Sequence, residues 1–347
     1  PSAPARLPCA PRPAIRYAAA PPHPQGPLSY LANLFARSRR LFIVLVRVML
    51  PVMIVVRVGE EFGWIDALGR GIAPAMSWIG LPAEAGMIWI AGVFVGVYGA
   101  IATLIGLAHG LEMTAGQFSA LSAMILFAHA LPVEQAIVRR AGGNPWATGA
   151  LRLGVALAYG GAVAWGSRLT GVLAEPIAFD WLQGSALAGD PASAGLLGWV
   201  QGTAFSLAFT FAIIVALLVV LDLLERTGLT RRITGALAPL LRVSGLDASA
   251  APVTTVGVLL GLTYGGALII EEAERRSFPA RTRFLALAWL CLSHALIEDT
   301  ALLVALGADA WVALIGRVAV TLAVVALLAR MLGPGDHAET GWHPQPR

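Results

Sequence analysis

The chain has 347 residues, of which 57% are hydrophobic and only 13% are charged. A soluble globular chain carries about 25% charged residues, so water alone is not the solvent of this protein, and an integral membrane protein is expected. The 24 basic residues are all arginines in short runs between apolar stretches, which gives a net charge of +4 without the single basic face of a nucleic-acid-binding protein. The two cysteines, Cys9 and Cys291, provide neither a disulfide framework nor a metal-ligand spacing.

The chain begins with a Pro- and Ala-rich tail, residues 1–36, that we predict to be disordered. Apolar segments then follow that approach the roughly 20 residues needed to cross a hydrocarbon layer of about 30 Å. They lie near residues 41–57, 85–108, 117–137, 147–168, 198–222, 251–271, 284–303 and 309–331. Shorter amphipathic pieces at 60–80 and 225–245 follow the first segment of each group of four, and these are predicted to lie along the membrane interface.

The two groups of four are copies of one unit, because a gapless shift of 165 residues aligns distinctive residues. Chance similarity between apolar segments supplies Leu and Ala matches but not paired Trp, His, Pro and Arg. The pairs include Glu60/Glu225, Gly63/Gly228, Pro74/Pro239, Gly80/Gly245, His129/His294, Trp146/Trp311 and Arg152/Arg317. We therefore divide the chain into a first membrane repeat (37–169), an acidic linker (170–197), a second repeat (198–332) and a polar tail (333–347).

The arginine distribution distinguishes parallel from inverted repeats. If each repeat crosses four times, Arg139 and Arg140 face outward and the acidic linker faces inward, against the positive-inside rule. If 85–108 and 251–271 are instead re-entrant hairpins, each repeat crosses three times and the arginine runs are cytoplasmic. The predicted fold is therefore an all-α integral membrane protein with two inverted repeats. Each repeat has three transmembrane helices, an amphipathic interfacial helix and a re-entrant Gly-broken hairpin, and both termini face the cytoplasm of a bacterium whose inner membrane holds the protein.

Glycines interrupt both predicted hairpins, in the sequences GVYGA (96–100) and GLTYGGA (261–267). Each Gly costs about 1 kcal/mol in a helix interior, and the backbone groups freed by a break must face protein or a water-filled cavity. Close helix packing is the alternative explanation for these glycines. We predict solute contacts from residues at or just after the breaks, namely Tyr98, Gly99, Thr263, Tyr264, Gly265 and Glu271.

Two histidines at matching positions, His129 and His294, fall near the middle of the bilayer, where an ionisable residue faces the bundle interior and marks a functional site. In HALIEDT (294–300), Glu298 lies four residues after His294, which places both on one face of a continuous helix, with Asp299 beside them.

The first copy, HALPVEQ (129–135), keeps Glu134 at the position of Asp299. It also contains Pro132, which frees the carbonyl four residues earlier and is expected to loosen the helix near His129.

Three chemical roles and one structural role remain open for this cluster. The chemical roles are binding of a polar solute by hydrogen bonds, binding of a divalent cation through His294 and Glu298, and relay of protons. Alternatively, His294 and Glu298 only lock two helices together. No hydrolase, phosphate-binding or dinucleotide motif occurs in a suitable context, so we expect neither an enzyme nor a resident cofactor.

Both repeats together, about residues 40–331, resemble the nucleoside-recognition or Gate domain family. The resemblance rests on the duplication, the Pro-to-Gly-Leu entries Pro74–Leu81 and Pro239–Leu246, the Gly-broken hairpins and HALIEDT. That family includes spore-maturation membrane proteins, and related units occur in concentrative nucleoside transporters and ferrous-iron permeases.

The resemblance implies a transporter or permease of a small polar solute, with a nucleoside-like molecule among the candidates, and the repeat pattern predicts a midplane site between the two repeats. A divalent metal-ion permease and a non-transporting membrane scaffold or assembly protein are the alternatives. The expected partners are the lipid bilayer and a small polar solute or ion, and a homo-oligomer is compatible with the sequence.

Overall fold

A computed structural model of the chain describes residues 27–108, 111–179, 195–228 and 279–333, together with residues 182, 232, 239–241, 243–246, 254 and 258. Residues 1–41 and 42–347 form two compact units, and all the packing described below lies within the second unit. Most of the predicted amphipathic piece 225–245 and of the predicted hairpin 251–271 lies outside the described residues.

The described part of the chain is almost entirely helical. In the first repeat the helices are α1 (Pro27–Glu61), α2 (Trp64–Trp78), α3 (Ala83–Val95), α4 (Val97–Gly106), α5 (Ala115–Phe127), α6 (Leu131–Arg140) and α7 (Pro145–Thr170). In the second repeat they are α8 (Gly195–Arg226), α9 (Ala280–Ser293), α10 (Glu298–Ala305) and α11 (Arg317–Met331), with a π-helical turn (Trp311–Gly316) leading into α11. Two short strands, β1 (Met113–Thr114) and β2 (Pro176–Ile177), pair antiparallel.

Among the described residues, four helical segments are long and apolar enough to cross a membrane: Ala115–Arg140, Pro145–Thr170, Ala280–Ala305 and Trp311–Met331. They coincide with four of the predicted crossings, which confirms an all-α membrane protein. Long helices also cover the predicted segments 41–57 and 198–222, as parts of α1 and α8.

The predicted tail 1–36 overlaps the start of α1. Residues 27–36 are helical in the structure, whereas residues 1–26 lie outside the described part. Leu28, Leu31 and Phe35 recur at the helical spacing i, i+3, i+7, and this pattern extends the first helix beyond the apolar run that we used to place its start.

Helix α2 occupies the predicted amphipathic piece 60–80 and ends at a sharp bend. The segments Arg70–Trp78 and Ala83–Val95 meet at 93°. Gly80 has a φ of 79° in this bend, where only Gly is free of steric cost, and its carbonyl accepts a hydrogen bond of 3.1 Å from Gln117 Nε2. This hydrogen bond connects the end of α2 to the start of α5.

The chain reverses direction at Gly96, between α3 and α4. A Cβ placed on Gly92 would lie 3.3 Å from the Cβ of Ala100, whereas eight residues of continuous helix would separate these positions by about 12 Å. Gly96 has a φ of 110°, a conformation that L side chains rarely adopt. Segment 85–108 thus contains two short helices that fold back on each other, and its re-entrant course in the membrane stays a prediction.

The duplication is visible in the backbone at positions 165 residues apart. Gly63 and Gly228 have φ values of 69° and 71°, and Gly80 and Gly245 have 79° and 85°.

The same correspondence holds at two helix starts. Asn144 Oδ1 accepts a hydrogen bond of 3.2 Å from Ala147 N, and its counterpart Asp309 Oδ1 accepts one of 2.9 Å from Val312 N. Both side chains satisfy amide groups that a helix start leaves without partners.

The helices that carry the two His-Ala-Leu motifs lie at the centre of the described bundle. Within their most apolar stretches, 61% of Ala115–Arg140 and 67% of Ala280–Ala305 is buried, against 28% for both Pro145–Thr170 and Trp311–Met331. The outer pair therefore presents apolar surface to its surroundings, as helices in contact with lipid do, while the inner pair forms the core.

The first residues of the linker pack onto the start of α5. Ala115 N donates to Glu175 O at 2.8 Å and Gly116 N donates to Leu173 O at 2.8 Å. Thr114 and Gln117 add a reciprocal capping box. Both contacts close the α5 N-terminus at the end of the bundle where the linker begins.

Candidate functional site: a buried histidine and carboxylate cluster

Both central helices break at their histidine. Helix α5 ends at Phe127 and α6 begins at Leu131, while α9 ends at Ser293 and α10 begins at Glu298. Ala130 and Ala295, which follow the two histidines, each have a φ of 47°. The left-handed conformation costs a non-Gly residue about 1–2 kcal/mol, so the surrounding contacts must hold both breaks in place.

Arg152 of α7 fills the first break. It is fully buried, and its Nε donates to Phe127 O at 2.7 Å while Nη2 donates to His129 O at 3.0 Å. Its Nη1 forms an ion pair with Glu134 Oε2. A broken helix inside a membrane leaves carbonyl groups without partners, and this guanidinium satisfies two of them.

Arg317 of α11 does the same at the second break, 165 residues later. It is also fully buried, with Nε donating to Leu292 O at 2.9 Å and Nη2 donating to His294 O at 3.1 Å. Nη2 also donates to Leu126 O of the first repeat at 2.9 Å, so Arg317 ties the two repeats together.

The side chains of His129 and His294 have fixed tautomers. His129 Nδ1 lies 2.9 Å from Ile125 O, and His294 Nδ1 lies 3.0 Å from Leu290 O. A carbonyl oxygen only accepts, so both Nδ1 atoms carry the proton. In the neutral form of each ring, Nε2 is therefore an acceptor.

These two Nε2 atoms point at each other, 3.0 Å apart. Glu134 Oε1 lies 3.0 Å from His294 Nε2 and 3.3 Å from His129 Nε2. Asp299 Oδ2 lies 3.5 Å from His129 Nε2. Ligand atoms of His129, Glu134 and His294 thus converge in the core, and Asp299 approaches this group at His129.

This arrangement requires a positive species between the side chains. Two neutral imidazoles whose lone pairs face each other repel, and both nearby carboxylates are also acceptors when ionised. A proton on one Nε2 removes part of this repulsion, and a metal cation removes all of it. His129, Glu134 and His294 are 5%, 7% and 3% exposed, so solvent does little to relieve it.

The turn of the first hairpin lies directly against the first helix break. Ala130 N donates to Gly92 O at 2.9 Å, and a Cβ on Gly96 would stand 3.5 Å from the Cβ of Ala130. Tyr98, just after the turn, is half-buried and interacts electrostatically with Glu298 and Asp299 of the second repeat. Tyr98 therefore lies near the cluster, and the solute contacts of Tyr98 and of the buried Gly99 stay predictions.

One premise of the sequence analysis is wrong: His294 and Glu298 do not share one face of a continuous helix. The helix ends at Ser293, and His294 itself has extended backbone, with a φ of −64° and a ψ of 159°. Glu298 begins the next helix and is exposed, whereas the neighbouring Asp299 reaches the histidines. The four-residue spacing rule applies only within one uninterrupted helix.

Four predicted site residues, Thr263, Tyr264, Gly265 and Glu271, lie outside the described residues. In the second repeat the neighbouring bond is present, because Leu296 N donates to Val258 O at 3.1 Å, one residue further along both segments than the bond of the first repeat.

Sequence analysis identified Arg152 and Arg317 only as a repeated pair and did not assign them to the site. A signal was present, since each is an arginine inside an apolar crossing, where a charge requires a buried partner.

Comparison with known proteins confirms the resemblance to the Gate family. Residues 42–144 match the model of that family, which is described as nucleoside recognition. The chain is also 26% identical over 305 residues to a Bacillus subtilis (strain 168) protein described as the uncharacterized membrane protein YvoD, covering 86% of this chain and 93% of the relative. No solved structure matches the chain.

Proposed function

We propose, from the match of residues 42–144 to the Gate family and from the buried cluster, that this protein is a transporter or permease of a small polar solute in a bacterial inner membrane. The observation that carries the proposal is that ionisable side chains of both repeats meet at breaks in the two central helices. Substrate sites of repeat-built transporters lie at such discontinuous helices, near the midplane between the repeats.

The proposed topology has six crossings, two re-entrant hairpins, both termini in the cytoplasm and a second repeat inverted relative to the first. It is supported by the arginine distribution and by the chain reversal at Gly96. Cysteine labelling of exposed Glu175, substituted as Glu175→Cys, tests it. Labelling from the periplasmic side supports inversion, and labelling only from the cytoplasmic side contradicts it.

Nucleoside-like molecules are the first solutes to test, because the matched family is described by nucleoside recognition. Proteoliposomes containing the full chain are supplied with labelled nucleosides and divalent metal ions, with and without a proton gradient. We expect saturable uptake of one class, reduced by His129→Asn or His294→Asn and retained in Glu112→Gln, a substitution of an exposed carboxylate. No saturable uptake of any solute contradicts transport and favours the membrane scaffold.

A permease for divalent metal ions is a second candidate function, and one observation favours it. The two histidine Nε2 atoms and Glu134 Oε1 are separated by only 3.0–3.3 Å, which leaves space for one ion between them but not for a nucleoside ring. A nucleoside binds there only if the two repeats separate.

A further inference from the structure

We infer that His129, His294 and Glu134 form a binding site for one divalent transition-metal ion, with Asp299 beside it on the His129 side. This inference deepens the second candidate function, and it rests on the proposal that the cluster is the functional centre. It differs from the metal site considered in the sequence, His294 with Glu298, because Glu298 is exposed and its place is taken by His129 and Glu134 of the first repeat.

The spacing of the ligand atoms fits a small tetrahedral ion. Metal bonds of 2.0–2.2 Å place neighbouring ligand atoms of a tetrahedron about 3.3–3.6 Å apart. The Nε2 atoms of His129 and His294 lie 3.0 Å apart, and Glu134 Oε1 lies 3.3 Å from the first and 3.0 Å from the second. One ligand atom each from His129, Glu134 and His294 lies within 4.8 Å of the other two. Small shifts of side chains admit an ion, without a change in the fold.

The groups behind the ligands are those that a metal site requires. Metal-binding histidines donate their other ring N–H to a carbonyl or carboxylate, which fixes the tautomer and orients the ring. Here Ile125 O and Leu290 O accept from the two Nδ1 atoms, at 2.9 and 3.0 Å. Glu134 is oriented by Arg152 through its other oxygen, which leaves Oε1 directed at the histidines.

Hydrogen bonding alone accounts less well for the cluster. A single shared proton satisfies one contact, whereas His129 Nε2 faces three acceptors, of which Glu134 Oε1 and Asp299 Oδ2 lie at 3.3 and 3.5 Å. Those two distances lie at or beyond the outer limit of N–H···O bonds. A cation contacts both Nε2 atoms and Glu134 Oε1 at once and therefore explains why these three atoms converge.

The local charges predict a loosely held ion. Arg152 pairs with Glu134, and Arg317 interacts electrostatically with Asp299, so the arginines already balance both carboxylates. A divalent ion then adds two uncompensated positive charges to a buried region, which weakens its binding relative to the same ligands without arginines. Weak binding and release suit an ion in transit between the two repeats.

Titration of the purified full-length protein with Co²⁺ tests the site, because Co²⁺ in a tetrahedral site absorbs visible light strongly. We expect one equivalent of Co²⁺ to give this absorption. His129→Asn and His294→Asn keep a donor for the backbone carbonyl but remove Nε2, and they should weaken binding by more than the roughly 10–100-fold seen when an outer partner is lost. The matched carboxylate pair is Glu134→Gln, which should weaken binding, and exposed Glu175→Gln, which should not.

Absence of the absorption band overturns the inference. An unchanged band in both histidine variants also overturns it and assigns the bound metal to other residues. Zn²⁺ X-ray absorption of the unmodified protein decides the matter even if the variants fail to fold. Two imidazole ligands with oxygen ligands support the site, and a spectrum without imidazole overturns it. Metal binding without uptake in proteoliposomes contradicts the transport proposal but not the metal site. Uptake without metal binding contradicts the metal site but not the transport proposal.

Discussion

The two helix breaks share a left-handed alanine after the histidine and a buried arginine, but they differ in electrostatics. At the first, Arg152 forms an ion pair with Glu134. At the second, Asp299 occupies the equivalent position but turns to His129, and among the described residues Arg317 Nη1 has no hydrogen-bond partner. The backbone arrangement thus depends on what both copies share, namely an arginine that satisfies the broken helix. The carboxylates are free to differ, and that difference creates an asymmetric centre.

The asymmetry predicts that the Arg152–Glu134 pair is the energetically dominant contact of the site. Arg152→Met leaves Glu134 buried without its partner, so it should cost about 3–5 kcal/mol of unfolding free energy. In double-mutant cycles with Glu134→Gln and Asp299→Asn, we expect a coupling of about 2 kcal/mol for Arg152–Glu134 and at most about 0.5 kcal/mol for Arg317–Asp299.

Unfolding in mixed detergent micelles measures both cycles, with exposed Arg139→Gln as the control for loss of a charge. Equal coupling at the two breaks would show that the centre is symmetric.

The histidines, in contrast, should be equivalent in function. Their Nε2 atoms lie 3.0 Å apart and each Nδ1 donates to a backbone carbonyl, so both rings are oriented in the same way although the carboxylates around them differ. His129→Asn and His294→Asn should each reduce saturable uptake in proteoliposomes by at least about tenfold, as loss of a ligand does. Retained uptake in one of the two variants would assign the function to a single repeat.

Substitution by Gly should stabilise the protein at both left-handed alanines that follow the histidines, whereas it destabilises an ordinary helix position. Ala130→Gly and Ala295→Gly remove a conformational cost of about 1–2 kcal/mol but add unfolded-state freedom worth about 0.5–1 kcal/mol. A net stabilisation of up to about 1.5 kcal/mol is expected from each. Exposed Ala136→Gly, inside α6, should instead destabilise by about 1 kcal/mol. Destabilisation at position 130 or 295 similar to that at 136 would contradict the left-handed conformation.

The smallest effects are expected at the matched helix starts. Asn144→Ala and Asp309→Ala each remove an acceptor for backbone amides, at a cost of about 1 kcal/mol in unfolding free energy. Asn144→Asp and Asp309→Asn exchange the two residue types and keep an acceptor, so they serve as matched controls with little loss. A loss in the controls as large as in the alanine variants would mean that charge, and not capping, determines stability there.

Sequence alone predicted the elements that have a periodic or repeated signal. Long apolar runs located four crossings, and the duplicated His-Ala-Leu segments identified both histidines. It also predicted the loosened helix near His129 from Pro132, which stands at the second position of α6.

Pro132 cannot be the whole cause of the break, because the second copy breaks without a proline. The common cause is a buried arginine from the next crossing, and contacts between distant segments leave no periodic pattern in the sequence. For the same reason, the prediction that His294 and Glu298 share one helix face was wrong. The apolar pattern of 284–303 does not show that the helix ends at Ser293.

Cross-linking of the two repeats tests most directly that the breaks meet at one centre. The two imidazole rings have centroids 4.8 Å apart, so His129→Cys and His294→Cys, with the native cysteines replaced, should be joined by a short bifunctional thiol reagent. A protease site between the repeats then reports the result on a denaturing gel. The repeats should remain joined after cleavage, whereas the control pair His129→Cys and exposed Trp311→Cys should separate. Separation of the His129→Cys and His294→Cys pair would contradict a shared centre.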